Sequence, residues 1–558
     1  MRGDKAELGV LPAPHRIGQY ARGQQMIAGR FVLAGEVIEA RPYLSFTATS
    51  AEAVDALQGF DWLDHLAAVG DGAARKFAQA ALHDWIAEFG HGAGPGWAPE
   101  LAGRRVSRLI AHALFLTQGM GATDQARFAQ IIALHARYLA RAAMRAAPGL
   151  ARIEALAGYL HAALVLDGMA DRVPVILGQV QDSAAGMIGA DGGIASRNPE
   201  ELLTMFEVLT AVAQDLSDRD TTPPPPLLDL LDRIATALRV LRHADGGLAR
   251  FQGGGRGADG VLGDALGIHA RQRPKALRAP LPEAAMGYVR LGAGRCSVLI
   301  DAAPPPLGAA AGGAHASTLA FELTSNRRPL IVSCGDGRSF GAEWHRASRA
   351  SASHSTLSIE GFSSSRFARA TQAHQRLDDG PRHVRVKLHH DAQGRSVALS
   401  HDGYLPTHGL VHERSLGLSS DGRVLHGRDS LTATGQDAER RLDAALARTG
   451  GAGAAFALRF HLHPDAEAAL DMNATAVSVA LRSGEIWVFR AAGLQLELTA
   501  SVYLEKGRLK PRPSRQIVLS LRANAYRTQV NWTLAKAQNT PLALRDLGQD
   551  DPLVVPPV

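Results

Sequence analysis

Cysteine is almost absent from this chain of 558 residues, which carries only Cys296 and Cys334. Two thiols cannot build the disulfide framework of a small secreted scaffold. They form at most one optional staple, and they suit a reducing compartment or a metal site. Long apolar runs are missing as well. Even GYLHAALVLDGMA is interrupted by His161 and Asp167, far short of the roughly 18 apolar residues a membrane helix needs, so no membrane span is expected. The opening MRGDKAELGVLPAPHRIGQYARG has no charged segment leading into an apolar stretch and a small-residue cleavage site, which makes the cytoplasm the expected location. No zinc finger, aromatic RNA-binding signature or phosphate-cradling glycine loop occurs, so neither nucleic acid nor an organic cofactor is an expected partner.

What the chain does have is apolar residues, 46% of the total, enough at this length for at least two independent cores. Its net charge of +6 favours an anionic partner, although the arginines are scattered and a solvated surface explains them equally well.

From about residue 50 to 245 the apolar period is helical. Leu227, Leu230, Leu231, Ile234, Leu238 and Leu241 make one stripe at 3.6 residues per turn, and Ile153, Leu156, Leu160 and Leu164 make another. Asn198 can cap a helix that starts at Pro199, with Glu201 in the capping-box position, and TTPPPP at 221–226 ends one helix and feeds the next. Beyond the glycine-rich run FQGGGRGADGVLGD at 251–264 the period changes to 2, with short runs such as CSVLID, TLAFEL, PLIVS, HVRVKL and TQVNWTL separated by turn residues. So many short strands argue for an antiparallel sandwich over a βαβ fold. The expected architecture is a multidomain α+β chain: an N-terminal extension over 1–50, a helical domain over 51–265 and a β-sandwich over 266–558.

Three groups of residues could carry chemistry. In the strand from Phe456 to His463, Phe456, Leu458, Phe460 and Leu462 alternate with Arg459, His461 and His463, so period 2 sends the apolar set inward and the cationic set to the other face. That face is either metal-capable and substrate-binding or simply wet. His315 in GGAHASTLAFEL and His354 in RASASHSTLSIE each precede a strand, and Cys334 follows PLIVS. Together these three are a candidate zinc or other divalent-metal set, since three or four N, S or O donors must converge on such an ion. Tyr404, His408 and His412 lie close together in HDGYLPTHGLVH, where a tyrosine or histidine could move protons, with ordinary packing the bland alternative.

The strings HASTLAFELTSNRRPLIVSCG, SHSTLSIE and RFHLHPD, preceded by FDWLDHL, WAPELAGRRVSRLIAHALFL, DGGIASRNPEELL and HADGGLARF, resemble the heparinase II/III-like family, and they occur in the family's order from about residue 60 to 465. The resemblance implies an incomplete (α/α) toroid followed by an antiparallel β-sandwich, an acidic polysaccharide as partner, and β-elimination. That reaction needs the uronate carboxylate neutralised, the C5 proton removed and the leaving oxygen protonated. Carried over, it implies Asn198 as carboxylate neutraliser, with Tyr159, Tyr404 or His461 for proton transfer. It further implies Arg459, His463 and His408 against substrate, and His315 and His354 as metal ligands beside Cys334. Two positions depart from the pattern: Gly313 stands where many relatives carry the first, catalytic histidine of His-x-His, and Ser333 where they often carry an aspartate ligand.

The leading expectation is therefore a lyase acting on a uronate-containing glycan. The alternative is a noncatalytic glycan-binding or envelope-polysaccharide assembly protein with a degenerate site; the family's habits pull the location toward the envelope or periplasm. Hydrolysis by a carboxylate pair is a third reading, for which Glu200, Glu201 and Glu207 have more ordinary capping and surface roles.

Overall fold

The computed structural model describes residues 7–39 apart from 15 and 17, then 50–274, 280–367 and 376–537. Of the extension expected over 1–50, residues 1–6 and 40–49 lie outside the described residues. The chain divides into two compact units that are interleaved in sequence. One comprises 1–190, 203–235 and 265–277, the other 191–202, 236–264 and 278–558.

The first unit is built of helices, including Gly72–Phe89, Pro99–Ala111, Ala122–Ala142 and Leu150–Val165. Their apolar stripes are buried as the period requires: Ile153, Leu156 and Leu160 are fully covered. Helices Pro99–Ala111 and Leu150–Val165 meet at Gly103 and Gly158, where a Cβ on Gly158 would lie 2.4 Å from the Gly103 Cα. Glycine is needed there for backbone-to-backbone approach. No helix among the described residues is long and apolar enough to cross a membrane.

Two antiparallel sheets make up the second unit. Among the described residues one has eight strands, in the spatial order Val384–Asp391, Gly394–Tyr404, Leu410–Ser419, Val424–Thr432, Arg527–Lys536, Ile486–Ala491, Ala476–Ala480 and Glu467–Asp471. The other runs Glu497–Tyr503, Arg512–Ala523, Ala454–Leu462, Arg328–Val332, Phe321–Ser325, Cys296–Asp301, Tyr288–Ala293 and Ala284–Ala285, and Leu357–Ile359 also pairs with Ala454–Leu462. Alternate residues of both sheets share a single core, as period-2 patterning dictates. Trp532 of the first sheet lies over Gly427, whose missing Cβ makes room for the ring, and reaches Phe460 of the second sheet at 4.8 Å between centroids. The helix Gln436–Arg448 interrupts the strands, which the period-2 reading of this half did not foresee. Its apolar side is narrow, Ala438, Leu442 and Ala445, so it reads as a turn-rich link.

Candidate functional site

Asp301, at the end of the strand Cys296–Asp301, organises the loops around the two conspicuous histidines. Fully buried, it pairs with the Arg197 guanidinium and accepts from Ser317 Oγ at 2.6 Å and Gln252 Nε2 at 3.0 Å. Gln252 in turn accepts the His315 amide on Oε1 at 2.8 Å. Arg197 also donates to the carbonyls of Met286, Gly287 and Pro304. Arg197 and Gln252 both have left-handed backbones, φ 52° and 51°. Such conformations cost non-glycine residues of order 1 kcal/mol or more and persist where the surroundings hold them; here the charged network does so.

The strand ends bring His315 and His354 together. His354 lies just before Leu357–Ile359 and Ser333 just after Arg328–Val332, and both of these strands flank Ala454–Leu462. His315 Nδ1 is 3.2 Å from His354 Nε2, and His354 Nδ1 is 3.1 Å from Ser333 Oγ. Both rings are buried. Burial drives both imidazoles toward the neutral form, His354 to a pKa of about 4 and His315 well below its ordinary value, where the neighbouring His354 adds to the effect.

Cys334 does not join them. Successive residues of an extended chain face opposite ways, so while Ser333 turns to His354, the Cys334 sulfur lies 3.5 Å from His461 Nδ1 and 3.9 Å from Ser501 Oγ. Burial raises its thiol to about 11, which disfavours the thiolate that metals require. Among the described residues no three His, Cys, Asp or Glu side chains are grouped to hold a metal ion. Two touching imidazoles and a serine do not fit the expected zinc site.

The period-2 reading of the Phe456–His463 strand is correct for its apolar face, with Phe456, Leu458, Phe460 and Leu462 all buried in the core. Its other face is not the open cationic surface that was expected. His461 is buried, with Nε2 on the Ala352 carbonyl at 2.9 Å and Nδ1 on Ser501 Oγ at 2.8 Å, and burial lowers its pKa to about 3. His463 is also driven toward neutrality by burial, its Nδ1 accepting the Asp465 amide at 3.2 Å. Arg459, half-buried, donates to Ser358 Oγ at 2.6 Å.

Packing also claims most of the other candidates. Tyr404 is buried in the sandwich core, its hydroxyl on the Leu357 carbonyl at 3.1 Å, and burial raises its pKa. His408 packs edge-on to Phe362 and bonds Thr407. His412 belongs to an interior cluster with His401, Asp429 and Arg414. Tyr159 is buried on helix Leu150–Val165 of the other unit. Asn198 Oδ1 accepts the amides of Glu200 and Glu201 at 3.0 and 3.2 Å, the N-cap role.

The buried histidines make stability pH-dependent. Unfolded imidazoles titrate near 6.5, whereas His354 and His461 titrate near 4 and 3 when folded. Below pH 6.5 the unfolded chain therefore binds more protons, and stability, complete above about pH 7, falls by up to about 1.4 kcal/mol per pH unit for each such histidine. Urea unfolding at pH 7.5 and pH 5.0 checks this; equal stabilities would show that these rings are not buried as neutral groups.

A second cluster, which no sequence signal marked, lies beside Gly313. The loop Gly253–Gly255 closes against it: a Cβ on Gly253 would meet the Gly313 carbonyl oxygen at 3.1 Å, and one on Gly254 would meet Asn198 Oδ1 at 2.6 Å. Above these glycines sits the Arg338 guanidinium, whose Nη2 would be 3.2 Å from a Cβ at position 313. Arg338 is 44% exposed, and its Nε is 3.9 Å from the buried carboxylate of Asp336. His345 Nδ1 is 3.6 Å from that same carboxylate, with its ring partly open to solvent. Burial works to raise the Asp336 pKa, but His345, Lys506 and Arg338 outweigh it and hold the group ionised. Lys506 is paired with Glu200. The result is one half-open guanidinium at the edge of closely packed glycine backbones, suited to a planar oxyanion.

The signature described as "Heparinase II/III-like, C-terminal" matches residues 277–533. FtsZ-localized protein C of Caulobacter vibrioides (strain NA1000 / CB15N) is 31% identical over 543 residues, 95% of this chain and 91% of that protein. The chain belongs to the heparinase II/III-like family. Solved structures share the fold of this family member at low identity. Heparinase III superposes with a TM-score of 0.70 at 12% identity, over 93% of this chain and 85% of that one. A mutant of the heparan sulfate lyase HepC from Pedobacter heparinus gives 0.59 at 14%, over 96% and 86%. Arg338 lies beside Gly313, the position at which the sequence resemblance led to the expectation of a histidine.

Proposed function

We propose that this heparinase II/III-like protein binds an acidic, uronate-containing glycan at the site formed by Gly253, Gly254, Gly313 and Arg338, and holds it without cleaving it. One observation carries the reading: a guanidinium lies beside position 313, where many relatives in the resemblance carry an imidazole. Arginine stays protonated at any physiological pH and cannot shuttle a proton, yet it pairs with a carboxylate through two parallel hydrogen bonds. Of the residues expected to move protons, Tyr404 and His461 are buried and engaged and Tyr159 is buried on its helix, while Asn198 spends its side-chain oxygen on a helix cap. For the helical half we take the incomplete (α/α) toroid implied by the family. The 31%-identical relative is named for localisation with FtsZ, not for a reaction, which suits a role in envelope-polysaccharide assembly.

A second reading, β-elimination, is favoured by one pair: His345 is partly exposed beside the ionised Asp336, an arrangement in which an imidazole can accept a proton. The test is to incubate the full chain with heparan, chondroitin, alginate and bacterial uronate polymers, following unsaturated-uronate absorbance and calorimetric binding with and without zinc or chelator. Binding to one polymer without absorbance is expected, insensitive to chelator. Absorbance that disappears in His345→Ala would establish elimination instead, and loss of binding under chelation would restore a metal to the site.

A further inference from the structure

The eight-stranded sheet carries a groove of about 660 Å³ on its outer face, within the ~300–1,000 Å³ of small-ligand sites. Strand register produces it. Residues paired across neighbouring strands point to the same side, so Lys387, Ala398, Ser415, Arg428 and Asn531 form one continuous row across five strands. The next row is His389, Ser396, Gly417, His426 and Thr533. Both rows are small in the middle, with Lys387 and His389 on one side and Arg428 and His426 on the other, which leaves a furrow flanked by the cations Lys387 and Arg428.

His389 stands 3.7 Å from the Asp391 carboxylate, which leaves Lys387 and Arg428 as the charges of the groove. Among the described residues neither Lys387 nor Arg428 pairs with a carboxylate; Arg428 Nε donates to Asn531 Oδ1 at 3.2 Å, which orients the guanidinium. Glu413, an acid of the same face, accepts from Ser430 Oγ. Lys387 and Arg428 stand three strand spacings apart, about 14 Å. We infer that this groove is a second binding site, separate from the Arg338 site, for a linear acidic oligosaccharide whose carboxylates meet Lys387 and Arg428 and whose hydroxyls meet Ser396, Ser415 and Asn531.

Other anionic polymers fit less well. Four of the five strands the groove crosses are paired on both sides and only Val384–Asp391 lies at the sheet edge, so an extended peptide laid along the groove, across the strands, gains no ladder of main-chain hydrogen bonds. Its one indole, Trp532, is turned into the core, and its imidazoles, His389 and His426, stand three strand spacings apart, about 14 Å, too far apart to stack neighbouring nucleobases. A sugar chain brings its own hydroxyls and needs neither.

Calorimetry of the full chain with an oligogalacturonate, and with a neutral malto-oligosaccharide of equal length, tests the assignment. Salt-sensitive binding of the acidic sugar alone, retained in Arg338→Ala, is expected. Lys387→Glu with Arg428→Glu weakens that binding at least tenfold, and Ala398→Trp, which fills the floor without changing charge, weakens it as well. Unchanged binding in both groove variants overturns the inference. So does poly-glutamate binding as tightly as the oligogalacturonate, which would make the groove a general polyanion or acidic-peptide surface. The Arg338 site and the groove share a ligand class but no residues, so Arg338→Ala and the groove variants fail independently.

Discussion

Arg338→Ala lowers the affinity of its site for an oligouronate by roughly ten- to hundredfold, while the unfolding free energy stays within about 0.5 kcal/mol of the parent. The affinity estimate follows from the ~1.5–3 kcal/mol carried by a hydrogen bond to a charged group in a partly desolvated setting. The stability estimate follows from exposure: Arg338 is nearly half open, and its closest carboxylate is 3.9 Å away, so the folded state loses only a weak surface-type pair. Arg338→Lys retains the charge and loses the planar two-pronged geometry, and recovers a minor part of the affinity. Isothermal titration of the three proteins with one oligouronate, each carrying Lys387→Glu and Arg428→Glu so that the groove does not contribute, measures the split. Equal affinities across the set would remove Arg338 from the site, and with it the main support for binding without cleavage.

Arg197→Ala destabilises the sheet unit by about 3–5 kcal/mol. Its guanidinium is buried against Asp301, and removing one member of a buried ion pair leaves the other charge without compensation. The substitution also orphans the carbonyls of Met286, Gly287 and Pro304, which Arg197 now satisfies. Because Asp301 also holds Gln252 and Ser317, the loop Gly253–Gly255 loosens with it, so oligouronate binding falls even under conditions where the variant is folded. Urea unfolding followed by circular dichroism gives the stability change. A loss below 1 kcal/mol would mean that the pair is solvated or dispensable, and that the strained backbones at 197 and 252 are held by something else.

Local pattern and tertiary circumstance contributed differently. The stripe Leu227, Leu230, Leu231, Ile234, Leu238 and Leu241, the Asn198 cap and the alternation through Phe456–Leu462 were legible because each depends only on the period of its own element, and all are observed. Family membership was legible as well, in strings spread over both halves in the right order. The candidate site was not. His461 and Tyr404 are ordinary candidates in a linear sequence, and only the packing of Ala352, Ser501 and the sandwich core over them makes the first a neutral, fully engaged ring and the second a buried one.

The chain by itself determined two kinds of element, their order, and the absence of a histidine at 313, since these depend on composition, period and single positions. Tertiary structure alone decided that Cys334 turns away from His315 and His354, and that Arg338, 25 residues beyond Gly313 in sequence, lies beside it. It also decided that Lys387 and Arg428 flank one groove. The physical reason is the same in each case: convergence of side chains from separate strands is set by register and by which face each strand buries, and no local interaction encodes that.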